Sequence, residues 1–368
     1  MNLDTEKWKS VKLGNICNLE YGNNLTAKMR NDGKVPVYGS AGIVGWHDSV
    51  LTNSETLVIG RKGSVGNVFY SSIPCFPIDT TFYVQQNDCK EDLRWIALFL
   101  NYYDLSNLNM ATAVPGLNRN IAHLIEIPLP PLEEQKRIAA LFQSIDAAIE
   151  QTEAQEKNLR NLITKLSEKL VNRNPEFGNL INADYLTFQK LGSISYEKRE
   201  TSKNPNTDGF ERFVGLEHIE PGNLKIRNWG NVADGTTFTK TFQPGDVLFG
   251  RRRAYLKKVA VADFKGLCSG DITVIVPDKD KILLELFLYY ISADAVFDHA
   301  VSTSAGSLSP RTKWKDLSKF EISLPPLDVQ EKILDVFQSI QNSIDLIHKQ
   351  YIDLKNLKQN LLDEILGD

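Results

Sequence analysis

The chain is short of the residues from which most metal and disulfide sites are built. Its 368 residues include four cysteines, Cys17, Cys75, Cys89 and Cys268, and no two of them form a CxxC pair. That scatter argues against a zinc ribbon or a disulfide framework and points to a reducing compartment, the cytoplasm. The five histidines, His47, His123, His218, His299 and His348, are equally dispersed, so no histidine-centred metal or catalytic cluster is expected. No apolar run approaches the roughly 20 residues of a membrane helix, and "MNLDTEKWKS" at the start is too polar for a signal peptide.

Catalytic signatures are missing too. "GRKGSVG" has the glycines of a phosphate loop without its terminal Lys-Ser/Thr, and "GSAGIVG" is an isolated glycine-rich turn. There is no GxSxG, no HExxH and no paired His/Cys spacing. An enzyme of this length usually shows one such set, so the chain is expected to carry no catalytic centre and no metal. A formal net charge of −4 gives no general affinity for nucleic acid. The acid excess is concentrated in residues 321–368, however, while residues 176–320 are slightly basic, so a DNA-binding surface would have to be local.

What the chain does have is a repeat. "LPPLEEQKRIAALFQSI" begins at Leu129 and "LPPLDVQEKILDVFQSI" at Leu324. One ungapped register, which carries Phe142 onto Phe337, runs from Ile127/Ile322 to Leu166/Leu361, with roughly 17 of about 40 positions identical. After each Pro-Pro, apolar residues recur at alternating steps of four and three. In the first copy these are Ile138, Phe142, Ile145 and Ile149, then Leu159, Ile163, Leu166 and Leu170, with Thr152 and Glu156 breaking the pattern. The second copy has Ile333, Phe337, Ile340, Ile344, Ile347, Tyr351, Leu354, Leu361 and Ile365, with Lys358 as the exception. This heptad pattern predicts two continuous helices, Glu133–Val171 and Asp328–Leu366, packed seam to seam. The order domain–helix–domain–helix closes if the helices run antiparallel, a rod of ~50–55 Å between two heads. In that arrangement Thr152 and Glu156 face the region of Ile347 and Tyr351.

The segments before the helices are distant relatives. "LVIGRKGSVGNVFY" aligns with "VLFGRRRAYLKKVAV", "LRWIALFLNYY" with "ILLELFLYYIS", and "PGLNRN" with "GSLSPRT". They read as short strands with glycine, asparagine and serine turns and one late helix, an α+β head. The expected domains are residues 1–127 (first head), 128–173 (first helix), 174–321 (second head) and 322–368 (second helix).

Basic loops follow an apolar strand at equivalent places in both heads. Arg61, Lys62 and Ser64 stand in the first; Arg251, Arg252, Arg253, Tyr255, Lys257 and Lys258 stand in the second. Arginine's planar fork suits guanine edges and phosphates, while lysine and serine suit phosphate oxygens. Asn118, Arg119 and Asn120, against Ser307, Ser309, Arg311 and Lys313, form a second candidate pair of loops, and Lys198, Arg199, Lys28 and Arg30 are candidate phosphate contacts. Asp79 and Asp271 match each other but read as turn formers.

This layout resembles the specificity subunit of type I restriction–modification systems of bacteria and archaea. The resemblance spans essentially the whole chain and rests on the duplicated I-x-L-P-P-L-x-x-Q-x-x-I motif leading into long helices. It implies two target recognition domains of mixed strand and helix, separated by a pair of long antiparallel coiled-coil helices in a pseudo-twofold internal repeat. Each domain would read one half of an asymmetric bipartite DNA target, and the helices would set the spacer. It further implies docking of two adenine-N6 methyltransferase subunits and of restriction/translocase subunits. S-adenosylmethionine, ATP and Mg would belong to those partners and not to this chain. Two readings of other classes stay open from the residues alone: a DNA-modifying enzyme with unrecognised motifs, and a coiled-coil adaptor with non-DNA ligands.

Overall fold

In the computed structural model the described residues are 8–108, 116–172, 186–205, 207–306 and 309–367. Pro115, Ser307 and the expected boundary between 173 and 174 lie outside them. The chain divides into two compact units, Met1–Glu153 with Lys349–Asp368, and Ala154–His348.

The first unit runs β1 (Lys9–Lys12), α1 (Leu13–Ile16), β2 (Glu20–Tyr21), β3 (Val35–Gly39), β4 (Gly42–His47), β5 (Thr56–Gly60), β6 (Val68–Ser71), β7 (Phe76–Pro77), β8 (Thr81–Gln85), α2 (Leu93–Tyr103), α3 (Arg119–Ala122) and β9 (Glu126–Leu129), and then enters the long helix α4 (Leu132–Val171). The second unit runs β10 (Thr187–Lys190), α5 (Leu191–Ile194), β11 (Ser195–Lys198), β12 (Arg212–Val214), β13 (Gly230–Asn231), β14 (Lys240–Phe242), β15 (Val247–Gly250), β16 (Val259–Val261), β17 (Gly266–Cys268), β18 (Ile272–Pro277), α6 (Leu284–Ile291), α7 (Asp294–Ser302), α8 (Trp314–Leu317) and β19 (Glu321–Leu324), and then enters the long helix α9 (Leu327–Leu366).

The sheets repeat as the helices do. The first unit has strand orders β2-β8-β5-β6, β4-β3-β7 and β1-β9; the second has β11-β18-β15-β16, β13-β12-β17-β14 and β10-β19. Corresponding parallel pairs, β3 with β7 and β12 with β17, occupy the same place in each middle sheet. The heads therefore share one topology, the second enlarged by β14, although their sequences match only in patches. The apolar strands "TLVIG" and "VLFG" are central in their sheets and buried along their whole length, which is why they carry no polar alternation.

Each long helix starts at its Pro-Pro. The Pro131 carbonyl accepts from the N–H groups of Glu134 and Gln135, and the Pro326 carbonyl from those of Val329 and Gln330. Proline suits such a start because its missing N–H would have no helical partner there. The glutamine of the motif then ties helix to head. Gln135 is fully buried; its amide donates to the Pro130 carbonyl at 2.9 Å and to Glu91, and its oxygen accepts from the Asp92 N–H at 3.1 Å, at the start of α2. Gln330 repeats this with the carbonyls of Pro325 (2.9 Å) and Lys281 (2.8 Å) and the Leu283 N–H (3.0 Å), at the start of α6. The register that carries Gln135 onto Gln330 also carries Trp95 onto Tyr290. Trp95 donates to the Pro128 carbonyl (3.1 Å) and Tyr290 to the Ser323 carbonyl (2.7 Å).

Within each unit the two helices pass antiparallel. In the first, Ile138 and Phe142 share a core with Leu361, Leu362, Ile365 and the head residues Trp95 and Ile96, and Lys358 pairs with Asp146 at 2.5 Å. In the second, Ile163, Leu166 and Leu170 share a core with Ile333 and Phe337, whose ring stacks on Tyr289 at 3.9 Å, and Glu156 meets His348 at 3.2 Å. Ile145 and Ile344 are buried, while Ile149, Leu159, Ile340, Ile347 and Leu354 are half-buried. The exceptions to the heptad pattern are satisfied polar sites. Thr152 is buried and donates to the Ile149 carbonyl. Burial would raise Glu156, but hydrogen bonds from Arg160 and His348 outweigh it and hold the carboxyl below its usual range.

Candidate nucleic-acid interface

The two loops that the sequence offers as separate candidates are laced together in both heads by the same backbone bonds. In the first head the Arg61 and Lys62 N–H groups donate to the Thr80 carbonyl (2.9 and 3.1 Å), and the Leu117 N–H donates to the Arg61 carbonyl (2.9 Å). Lys62 thereby pairs with Gly116. In the second head the Arg251 N–H donates to the Asp271 carbonyl (2.9 Å), and the Thr312 N–H donates to the Arg251 carbonyl (3.0 Å). There Arg252 pairs with Arg311. Immediately beyond, Asn118 caps α3 and Lys313 precedes α8. One frame thus presents two sets of side chains.

In the first head the "GRKGSVG" segment closes as a tight loop, with the Gly66 N–H on the Gly60 carbonyl at 2.9 Å. Gly60 has to be glycine, because a Cβ there would lie 2.3 Å from the Ser64 carbonyl oxygen. Lys62 and Ser64 are exposed on this loop. The Arg61 guanidinium lies 4.9 Å from the centre of the Tyr21 ring and that of Arg119 lies 5.2 Å from it, so one aromatic ring carries both cations. Tyr21 is itself 46% exposed. Among the described residues neither arginine has a carboxylate partner, and the buried Arg61 Nε has no acceptor. Asn118 is engaged at its oxygen, which accepts from the Asn120 and Ile121 N–H groups, leaving its amide exposed. Arg30 donates to the Val44 carbonyl.

In the second head an acid organises the cations. Asp271 accepts from Arg311 Nε at 2.7 Å and from Arg252 Nη1 at 3.2 Å, and Ser309 Oγ accepts from Arg252 Nε and Nη2 at 3.3 and 3.0 Å. Burial would raise the Asp271 carboxyl, but the two arginines more than offset this and hold it below the usual carboxylate range. Arg251 turns inward, donating to the Thr312 carbonyl. Arg253 is exposed in a left-handed turn (φ 52°), fixed by its N–H on the Pro310 carbonyl, and Tyr255 is 55% exposed beside it. Lys257 pairs with Asp294 at 2.6 Å. Lys198 is drawn into a largely buried pair with Asp246 at 3.2 Å, away from this cluster, and Arg199 pairs with Glu197 while staying exposed.

Two members of these sites were not expected from sequence. Tyr21 stands on a two-residue strand far upstream of Arg61, and nothing in "LEYGN" marks it. Asp271 reads as a turn former until folding brings Arg252 and Arg311 onto its two oxygens.

The comparisons with known proteins fit this geometry. A family described as "Type I restriction modification DNA specificity domain" matches residues 5–160 and 183–356, one match per repeat. The chain is 22% identical to the EcoDI specificity subunit of a type I restriction enzyme from Escherichia coli, covering 98% of this chain and 87% of that one. It is 23% identical to the MjaVIII specificity subunit from Methanocaldococcus jannaschii, over 86% and 79% of the two chains. The fold is similar to that of a crystallised type I restriction-modification S subunit from M. genitalium, with TM-score 0.66, 15% identity and coverage of 100% and 98%. A chain from a structure of type I system assembly and conformational transition gives TM-score 0.60 at 18% identity, covering 98% and 97%.

Proposed function

The chain belongs to the type I restriction–modification DNA specificity family, and we propose that its two heads read unlike halves of one bipartite duplex target. It is the DNA-recognition member of such a complex and is not itself catalytic. The observation that carries the bipartite, asymmetric reading is the shared backbone frame with different side chains: Arg61 and Arg119 on Tyr21 in one head, Asp271 between Arg252 and Arg311 in the other. Identical frames would dock alike on the duplex, and unlike side chains would select unlike bases. Lys62, Ser64, Arg253 and Lys313 border the clusters and would position the phosphates.

The partners are two copies of an adenine-N6 methyltransferase subunit together with restriction/translocase subunits, in the bacterial cytoplasm. Methylation would use S-adenosylmethionine, and translocation and cleavage ATP and Mg, all held by those subunits. The duplicated helices support a count of two. Leu162 and Leu357, at matching positions of the repeat, are 41% and 47% exposed, and Leu132 and Leu327 are 39% and 40% exposed. Equivalent apolar positions offered twice suit two copies of one partner.

Genome-wide mapping of adenine methylation in the host, with and without this gene, tests the reading. The expected result is a gene-dependent motif of two unlike half-sites separated by a fixed unspecified gap. No gene-dependent methylation, or a palindromic motif, would overturn it.

A further inference from the structure

Within the second head, we infer that Arg311, held by Asp271, reads a guanine in that head's half-site; the inference rests on the functional reading above. Arginine recognises guanine by offering two parallel N–H groups to O6 and N7. A free guanidinium samples many orientations, whereas one fixed through Nε presents its Nη1–Nη2 edge in a set direction. Arg311 is fixed in that way. Its Nε donates to Asp271 Oδ1 at 2.7 Å, and among the described residues its two Nη groups have no partner. Its backbone is pinned on both sides, by reciprocal bonds with Ala305 (3.0 and 3.1 Å) and by the bridge to Arg252. The side chain is 46% exposed while Asp271 is 19% exposed, so the fork faces outward and its anchor lies beneath.

Arg252 completes the device. It engages the other Asp271 oxygen and Ser309, so the carboxylate is opposed by two cations and the cluster stays net positive toward an approaching duplex. A phosphate contact would need the charge but not this fixed orientation, which favours a base edge. The first head lacks the device. Gly116 occupies the place of Arg311, and Thr80, one residue after the Asp79 that the sequence matches to Asp271, occupies the place of Asp271. The effect is therefore confined to one half-site.

The test expresses the full chain with the methyltransferase subunits of its own host and maps adenine methylation for wild type, Arg311→Lys and Asp271→Asn. Arg311→Lys keeps the charge and loses the fork; Asp271→Asn keeps the shape and loses the anchor's charge. We expect the preference for G·C at one position of one half-site to fall by roughly 5- to 150-fold in Arg311→Lys. A smaller fall is expected at the same position in Asp271→Asn, with the other half-site and the gap unchanged. A uniform loss across all sites would assign Arg311 to phosphate, and an unchanged motif would leave the cluster a structural ion pair; either overturns the inference. If Asp271→Asn yields no complex, Arg311→Lys decides alone, since a lysine there can still pair with the acid. A wild-type chain that directs no bipartite methylation would instead sink the functional reading.

Discussion

His123 holds part of the first head's candidate surface in place through its neutral form. Its Nε2 accepts the Leu19 N–H at 3.2 Å, which requires an unprotonated nitrogen there, and it directly follows α3, where Arg119 stands. Burial, and then the charge of Arg119, keep its pKa below the ordinary 6.5. Just below that pH the unfolded chain binds more protons at this site than the folded one. The contribution to stability is therefore complete above about pH 6.5 and is lost as pH falls from there toward the depressed folded value. Urea denaturation between about pH 7 and 5.5 should show a larger drop in midpoint for wild type than for His123→Gln, which accepts the same bond without titrating. An equal drop in both would assign the pH dependence to other groups. At this scale the sequence was only partly legible. Arg61, Arg119, Arg252 and Arg311 could be picked out by residue type and because the loops that carry them fall at corresponding places in the two heads, although the arginines themselves do not match one to one. Their organisers could not, because Tyr21 acts across a fold and Asp271 lies 40 residues from Arg311.

At the level of elements, the long helices were the most legible feature, because a heptad pattern reports burial directly along one face. Each spans 40 residues, starting one residue before the expected Glu133 and Asp328. The strand content of the heads was legible as apolar runs between turns. Their pairing was legible only for neighbours such as β3–β4, β5–β6 and β15–β16, since the other short strands, β1 with β9 and β2 with β8 among them, meet partners distant in sequence. The motif itself gained a meaning that its pattern did not disclose. Its glutamine is a buried clamp, joining the proline carbonyl at the helix start to the N–H at the start of the head's helix. Gln135→Ala would leave the Asp92 N–H and the Pro130 carbonyl buried and unpaired, a cost of roughly 1–3 kcal/mol for each group left without a partner. Gln330→Ala should cost a similar amount through Leu283, Lys281 and Pro325. Denaturant titration should place both variants well below wild type in midpoint, whereas Gln143→Ala, at an exposed position of the same helix, should stay close to it. Two unperturbed midpoints would mean that water or neighbouring groups replace the clamp.

At the level of the whole molecule, the proposal that the helix pair sets the gap between half-sites has a quantitative consequence. The off-pattern residues Thr152 and Glu156 fall in Gln151–Lys157, and His348, the partner of Glu156, falls in Ile347–Asp353. Each stretch is one heptad, so removing both together keeps the apolar period intact on either side and deletes the polar pair as a unit. Seven residues of helix correspond to ~10 Å at about 1.5 Å each. That is about three base pairs of duplex at roughly 3.4 Å per step. The doubly deleted chain, expressed with its methyltransferase subunits, should therefore methylate the same two half-sites with the unspecified gap shortened by about three base pairs. Because three base pairs also rotate one half-site by about a third of a turn, methylation should be slower as well, unless the heads adjust. Deleting only one of the two heptads shifts one seam against the other by a full repeat and strands one member of the Glu156–His348 pair, so that variant should be less stable than the double deletion. A methylome in which the gap stays constant while either half-site changes would refute the ruler and place the spacing elsewhere in the complex.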